Sequence, residues 1–322
     1  MKKIMITGFS GFVSRHFVEY LYDNELSYEL LGVDIKEPEL DPQQFQPILK
    51  MQFQKLDLLD TAALQNVIRT FQPDYILHLA AFSSVAYSWK YPSACFENNA
   101  KIFLNLTDAM RAQGLDCRLL SVGSSEEYGN VSVDSLPLVE GQPLNPVSPY
   151  AVARVAQEMM SKVLVDGFGM KIMLTRSFNH IGPYQDERFV VPGFIRRILN
   201  LSQSGAVCGE IETGDTSIVR DFLDVRDVVR AYYLLLTRGT PGEVYNICSG
   251  KGFVLSEVIE EIADIVGIQV TGKVNPKFIR PSDNRMIIGS AAKIEEELGW
   301  KAEIPLRKTL EDMIYTIQQE RL

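Results

Sequence analysis

The sequence has no framework of paired cysteines. Its four, Cys95, Cys117, Cys208 and Cys248, stand far apart in 322 residues, which argues against a zinc site or a disulfide scaffold and for reduced, buried thiols. Positive charge is in deficit as well. The 32 Lys and Arg against 41 Asp and Glu leave a net charge of −9, which excludes an electrostatic surface for nucleic acid or an anionic membrane. An anionic ligand therefore has to meet arginines placed locally. No apolar run approaches the roughly 20 residues of a membrane span, and the run Ile4-Met5-Ile6 is cut by Gly8 too early for a signal peptide. Repeats, low-complexity tracts and flexible linkers are missing too. A cytoplasmic chain with no metal, no nucleic-acid partner and no membrane partner is expected, long enough for two lobes sharing a cleft.

What is present begins with Ile4-Met5-Ile6 running into Thr7-Gly8-Phe9-Ser10-Gly11-Phe12, followed by Phe17, Val18 and Leu21 at helical spacing. Strand, glycine turn and helix let a backbone approach a pyrophosphate at the helix N-terminus. A second strand, Leu30 to Val33, ends at Asp34, where an acid would bind the adenosine ribose hydroxyls. Lys36, two residues on, would soften repulsion of a 2′-phosphate, so both NADH and NADPH are expected. Ser14 takes a helix-packing position often held by glycine. The continuous apolar run Tyr75 to Ala81 reads as a buried parallel strand. His78 within it reads as structural, and small Ala80 and Ala81 leave room for a cofactor.

The strand Arg118 to Val122 leads into Ser124-Ser125-Glu126, hydroxyls and an acid at a strand end facing the ligand crevice. Ser148-Pro149-Tyr150 opens a helix that the spacing carries to about Asp166. Tyr150 and Arg154, four apart, share a face. A fixed cation beside a phenol at a helix N-terminus favours phenolate, the form that exchanges a proton with an alkoxide in carbonyl reduction. Further helices are expected over Pro92–Ala112, Pro192–Leu201, Val225–Leu236, Ser256–Val266, Ala291–Leu298 and Leu306–Gln319. The fold class is α/β, a doubly wound parallel sheet with a smaller C-terminal α/β lobe. Residues 1–176 are expected to bind dinucleotide, with segments from about 215–250 returning to them, and 177–322 to bind substrate.

The glycine turn with Asp34, the Tyr150–Arg154 pair and Ser124-Ser125-Glu126 together resemble the extended short-chain dehydrogenase/reductases, over essentially the whole chain. That family carries Tyr-x-x-x-Lys; Arg154 stands in the lysine position, keeping a charge role and offering a forked grip on ribose hydroxyls. The resemblance implies a Rossmann fold and a cofactor set of Gly8, Gly11, Phe12, Asp34, Asp57, Leu58, Leu79, Ala80, Ala81, Tyr150 and Arg154. Tyr150, Arg154, Ser124 and Glu126 are the implied catalytic residues. Within the family the chain is similar to the nucleotide-sugar branch, through Asn179 to Pro183, Phe189 to Pro192, Arg220 to Asp227 and Arg280 to Asp283. Phe222-Leu223-Asp224 departs from the Trp-Gly-His usual in its dehydratases. This likeness implies reduction of a GDP-4-keto-6-deoxyhexose, with rhamnose or its talose epimer as product and 4,6-dehydration as the alternative. It implies that Asn179, Arg220 and Arg280 grip the diphosphate and Asp283 the ribose. Val191 would then lie beside the guanine and Ser124 and Ser125 at the sugar. The long helix after Tyr150 is apolar beyond one stripe, and the family pairs it with the 92–112 helix, so a homodimer is expected.

Overall fold

The computed structural model describes residues 1–279 and 284–319. In chain order its elements are β1 (Lys2–Thr7), α1 (Phe12–Asp23), β2 (Tyr28–Asp34), β3 (Leu49–Lys55), α2 (Thr61–Phe71), β4 (Tyr75–His78), α3 (Val85–Lys90), α4 (Pro92–Ala112), β5 (Arg118–Ser124), α5 (Pro149–Phe168) and β6 (Lys171–Ser177). There follow β7 (Asn179–Ile181), α6 (Val190–Gln203), β8 (Cys208–Thr213), β9 (Val219–Asp224), α7 (Val225–Arg238), β10 (Val244–Ile247) and β11 (Gly252–Val254). The chain closes with α8 (Leu255–Val266), β12 (Gln269–Val274), β13 (Met286–Ile287), α9 (Ala292–Leu298) and α10 (Leu306–Gln319).

A parallel sheet in the order β10-β6-β5-β4-β1-β2-β3 forms the centre. Its apolar runs are continuous because alternate residues feed opposite faces: Ile4 and Ile6 of β1 pack with Phe17, Leu21 and α7, while Met5 packs with Leu64 and Ile68 of α2 and Phe103 of α4. Each fully buried side chain of this kind contributes about 1.5–3 kcal/mol. Strand order reverses between β1 and β4, and in such sheets the crevice outside the strand ends at the reversal receives the ligand.

A third core joins β7, α6, β9, α8 and α10 through Ile181, Phe194, Phe222, Ile259 and Leu310. In a separate small sheet β9 pairs with β7, β11 and β13, and β8 pairs with β12 in a two-stranded sheet of their own. The edge strand β3 was not anticipated, although Leu49, Met51 and Phe53 alternate with Lys50, Gln52 and Gln54. α6 starts two residues before the expected Pro192, and α5 runs on to Phe168 before Gly169 ends it in a left-handed turn. One expectation for the thiols is corrected: Cys208, on the two-stranded β8–β12 sheet, is exposed, whereas Cys95, Cys117 and Cys248 are buried. No described helix is long and apolar enough to cross a membrane.

Candidate active site

At the end of β1, Gly8 adopts φ 73°. A Cβ there would lie 2.7 Å from the Ala80 amide nitrogen, so only glycine lets the turn press against the end of β4. The Gly8 amide donates to the Val33 carbonyl at 3.0 Å and the Gly11 amide to the Gly8 carbonyl at 3.1 Å. Gly11 then caps α1 without a side chain, which leaves the first amides of Phe12 and its successors open to an external anion. The Asp34 carboxylate accepts the Ser10 amide at 2.9 Å and the Lys36 amide at 3.1 Å, which fixes it beside the turn. Leu79, Ala80 and Ala81 are partly open where β4 ends, and the Leu79 amide donates to the Thr7 carbonyl at 3.1 Å. Asp57 is exposed and accepts the Leu59 amide, while Leu58 is buried with its carbonyl held by Asn105. A strip of backbone and small side chains with an acid at one end fits a dinucleotide. His78 lies beneath it, bonded through Nδ1 to the Thr7 hydroxyl at 2.8 Å. Burial first, and the Arg154 charge second, push its pKa down to about 3, so this histidine stays neutral.

Opposite stands α5. Ser148 caps it by accepting the Ala151 amide at 3.1 Å, with Pro149 in the first turn. Tyr150 and Arg154 are both buried, and Arg154 Nε donates to the Tyr150 hydroxyl at 3.2 Å. Arg154 Nη1 donates to the Val122 carbonyl at 3.1 Å and to Gln157 Oε1 at 2.8 Å. The fork expected to grip ribose is thus half committed inside the protein, and Nη2 is what remains for an outside acceptor. Burial opposes the guanidinium charge, but the Tyr150 oxygen and Glu127 outweigh it and raise the pKa.

Val122 lies two residues before Ser124, so the tether brings Tyr150 and Arg154 to the strand end that carries the hydroxyl. Ser124 Oγ accepts the Glu126 amide at 3.3 Å. Ser125 is buried and Glu126 is half-buried. The acid the sequence reading missed is Glu127, fully enclosed, with Oε1 accepting the Ser124 amide at 2.7 Å and Oε2 without a partner. Burial, and then the charge of Glu158, push its pKa up to about 8 against the pull of the Ser124 amide, Arg176 and Arg154. The Ser-x-x-Glu spacing of a capping box was the signal for it. Behind it, Tyr128 donates to Asn246 Oδ1 at 2.7 Å. Gly129 adopts φ 67°, where a Cβ would overlap the Asn145 carbonyl. Two further residues were not foreseen. One is Gln157, the acceptor of Arg154 Nη1; the other is Asn99 of α4, which accepts the Phe82 amide at 2.8 Å and returns a bond to the Phe82 carbonyl, fixing the loop after Ala81.

On the other lobe, Asn179 begins β7 two residues after Ser177, which is in register with Ser124. It is half-exposed at that same end. Arg220 is buried, and its Nη1 donates to the carbonyls of Val219 at 2.9 Å and Asn284 at 2.7 Å. Its neighbour Asp221 accepts from the Ser249 amide and hydroxyl and from the amides of Gly250 and Gly289 at 2.6–3.1 Å, and burial raises its pKa to about 6. The Val191 side chain is fully buried in the third core, and Val190 is the outward residue of that turn. Arg280 and Asp283 lie outside the described residues.

The family model described as GDP-mannose 4,6 dehydratase matches residues 5–313. GDP-6-deoxy-D-mannose reductase of Pseudomonas aeruginosa is 33% identical over 96% of this chain and 95% of its own length. GDP-mannose 4,6-dehydratase of Yersinia enterocolitica is 28% identical over 98% of this chain and 93% of its own. Among solved structures, RMD from Pseudomonas aeruginosa complexed with NADPH superposes with a TM-score of 0.84 at 30% identity, covering 99% of this chain and 98% of that one. The chain belongs to the GDP-mannose 4,6 dehydratase family of short-chain dehydrogenase/reductase enzymes, which act on nucleotide sugars with NAD(P).

Proposed function

We propose that this enzyme reduces the 4-keto group of GDP-4-keto-6-deoxy-D-mannose to GDP-D-rhamnose, using NADPH or NADH. The observation that carries the reading is the Tyr150–Arg154 hydrogen bond, tethered through Val122 to the strand that ends in Ser124. The reductase relative supports the choice of sugar. Gly8, Gly11, Phe12 and Leu79 to Ala81 would hold the dinucleotide, and Asp34 its adenosine ribose. When bound, the reduced nicotinamide supplies a hydride to carbon 4. Tyr150 gives its proton to the carbonyl oxygen as that oxygen gains charge, and the Ser124 hydroxyl donates a hydrogen bond to the same oxygen. Arg154, always charged, steadies the phenolate left behind. Asn179 and Arg220, with Arg280 and Asp283, take the diphosphate and ribose.

A second reading rests on half-buried Glu126 and its neighbour Ser125: 4,6-dehydration of GDP-mannose, in which these two would serve the proton on carbon 5 and the hydroxyl leaving carbon 6, and a bound oxidised nicotinamide would supply the transient oxidation at carbon 4. Two incubations separate the readings. The ketosugar with NADPH or NADH should oxidise the cofactor stoichiometrically and yield rhamnose by NMR, whereas GDP-mannose with NADP+ or NAD+ should stay unchanged. A talose product would correct the face of attack, and a ketosugar formed from GDP-mannose with the oxidised cofactor would favour the dehydratase.

Residues 1–176, with segments of about 215–250, form the cofactor half in this reading and 177–322 the substrate half. Assembly follows from α4 and α5, whose outer faces expose Phe96, Met159, Met160 and Val163. A second copy covers them, and sedimentation at micromolar concentration should show a dimer, a monomer being the contrary result.

A further inference from the structure

The guanidinium of Arg154 is held by more than its own helix. Gln157, 2% exposed, accepts Arg154 Nη1 on Oε1 at 2.8 Å. Its Nε2 donates to Ser121 Oγ at 2.9 Å and to the Val122 carbonyl at 3.3 Å. Those two acceptors settle which end of the amide faces Arg154, since a flipped amide would turn its NH2 on the cation. Ser161 Oγ donates to the main-chain carbonyl of Gln157 at 2.8 Å and stands 3.3 Å from Ser121 Oγ, which holds Ser121 in place beside the amide. The guanidinium is planar, and pinning Nη1 between Val122 and Gln157 fixes its plane and with it the direction of Nε toward Tyr150. We propose that Gln157 is a positioning residue for the proton-transfer step, holding Arg154 so that Nε meets the Tyr150 hydroxyl.

The device belongs to arginine. An ammonium has one freely rotating nitrogen and no plane, so an amide acceptor cannot fix its direction as it fixes the planar fork. Gln157 and Arg154 thus form a functional unit, and a lysine in place of Arg154 has no use for the amide. This inference rests on the reading of Tyr150 and Arg154 as the proton-transfer pair, so its test includes a readout that needs no turnover.

The variants are Gln157→Leu, Gln157→Glu, Arg154→Lys and Arg154→Lys/Gln157→Leu. In full-length protein labelled with 15N-arginine, the Arg154 Nε–H signal, assigned by its absence in Arg154→Lys, should exchange slowly in the parent. Gln157→Leu should speed that exchange by about tenfold or more, and Gln157→Glu, which keeps the acceptor and the shape, should restore protection. In the ketosugar assay Gln157→Leu should lower kcat about tenfold with KM for the sugar nearly unchanged, and the double variant should match Arg154→Lys. An Arg154 signal indifferent to Gln157→Leu overturns the proposal, as does an equal kcat loss in the arginine and lysine backgrounds. If Gln157→Leu does not fold, a Gln157→Glu protein with an unprotected Arg154 signal overturns it equally. Should the parent turn over no ketosugar with either nicotinamide, the reaction reading falls and the exchange comparison alone decides for or against Gln157.

Discussion

Two buried arginines meet α5 about one turn apart and are satisfied by opposite means. Arg176, from β6, forks onto Glu158 with bonds of 2.9 and 2.8 Å, and Lys162 reaches the same carboxylate at 2.8 Å. Arg154 has neutral acceptors instead: a carbonyl, an amide and a phenol. A cation closed by a carboxylate is spent on holding β6 to α5. A cation closed by neutral oxygens keeps its field for whatever charge develops beside it. Glu127, with one oxygen bonded and one bare, stands between the two.

The sharpest way to break the comparison is Tyr150→Phe. Turnover should fall about 10²–10⁴-fold, the worth of a positioned acid, while the melting temperature barely moves. A comparable loss of stability would make the pair a structural one. Arg176→Met tests the other arm. It leaves Glu158 with Lys162 as its remaining cation and should cost about 1.5–3 kcal/mol in denaturant unfolding, with kcat per folded molecule retained and much of the loss recovered by adding Glu158→Leu. Although burial opposes it, pairing with Arg176 and Lys162 lowers the Glu158 pKa. The stability this pair supplies is therefore present above the ordinary carboxylate range and lost as pH falls below it, so the gap between variant and parent should narrow in acid.

Glu127→Gln probes the intermediate case. The raised pKa of about 8 means that the parent has its full stability only below the ordinary carboxylate pKa, loses it as pH rises from there to 8 because the unfolded chain ionises first, and loses no more above 8. The variant keeps the acceptor for Ser124 and escapes the charge. The advantage of the variant over the parent should be smallest near pH 4 and largest at pH 9, a change of about 1–3 kcal/mol that thermal melts at the two pH values would read. The smallest expected effect lies across the cleft. Asp34→Ala should shift the ratio of kcat/KM for NADH over NADPH toward NADPH by a few-fold, and an unchanged ratio would remove Asp34 from cofactor choice.

Short-range features were the legible ones. The turn at Gly8 and Gly11, the acid ending β2, the cap at Ser148 and the four-residue step from Tyr150 to Arg154 are written within one or two turns of chain, and α4 runs from Pro92 to Ala112 as its pattern implied. What escaped depends on partners distant in sequence. Glu127 looks like one more acid in a polar loop until β6 and Asn145 enclose it, and Gln157 looks like a helix-surface residue until Ser121 and Val122 arrive from β5. The β8–β12 pair joins segments about 60 residues apart with no continuous apolar run to announce it. Arg280 and Asp283 were legible only through family likeness.

Gly129 has one more consequence, which concerns insertion. The Asn145 amide donates to the Glu127 carbonyl at 3.1 Å, and together with the tight crossing at Gly129 this closes the neck of the 130–144 excursion. Deeper in, Leu138 donates to the Ile288 carbonyl at 2.8 Å and Glu140 accepts the Asn246 amide at 2.8 Å. What remains outside is the tip around Val133, 65% exposed. Extra residues spliced there add only the slowly growing entropy of a longer loop, about 0.6 kcal/mol per doubling. The neck isolates Ser124 and Tyr150 from that change, so a fluorophore or peptide graft can be carried at the tip while the reaction proceeds.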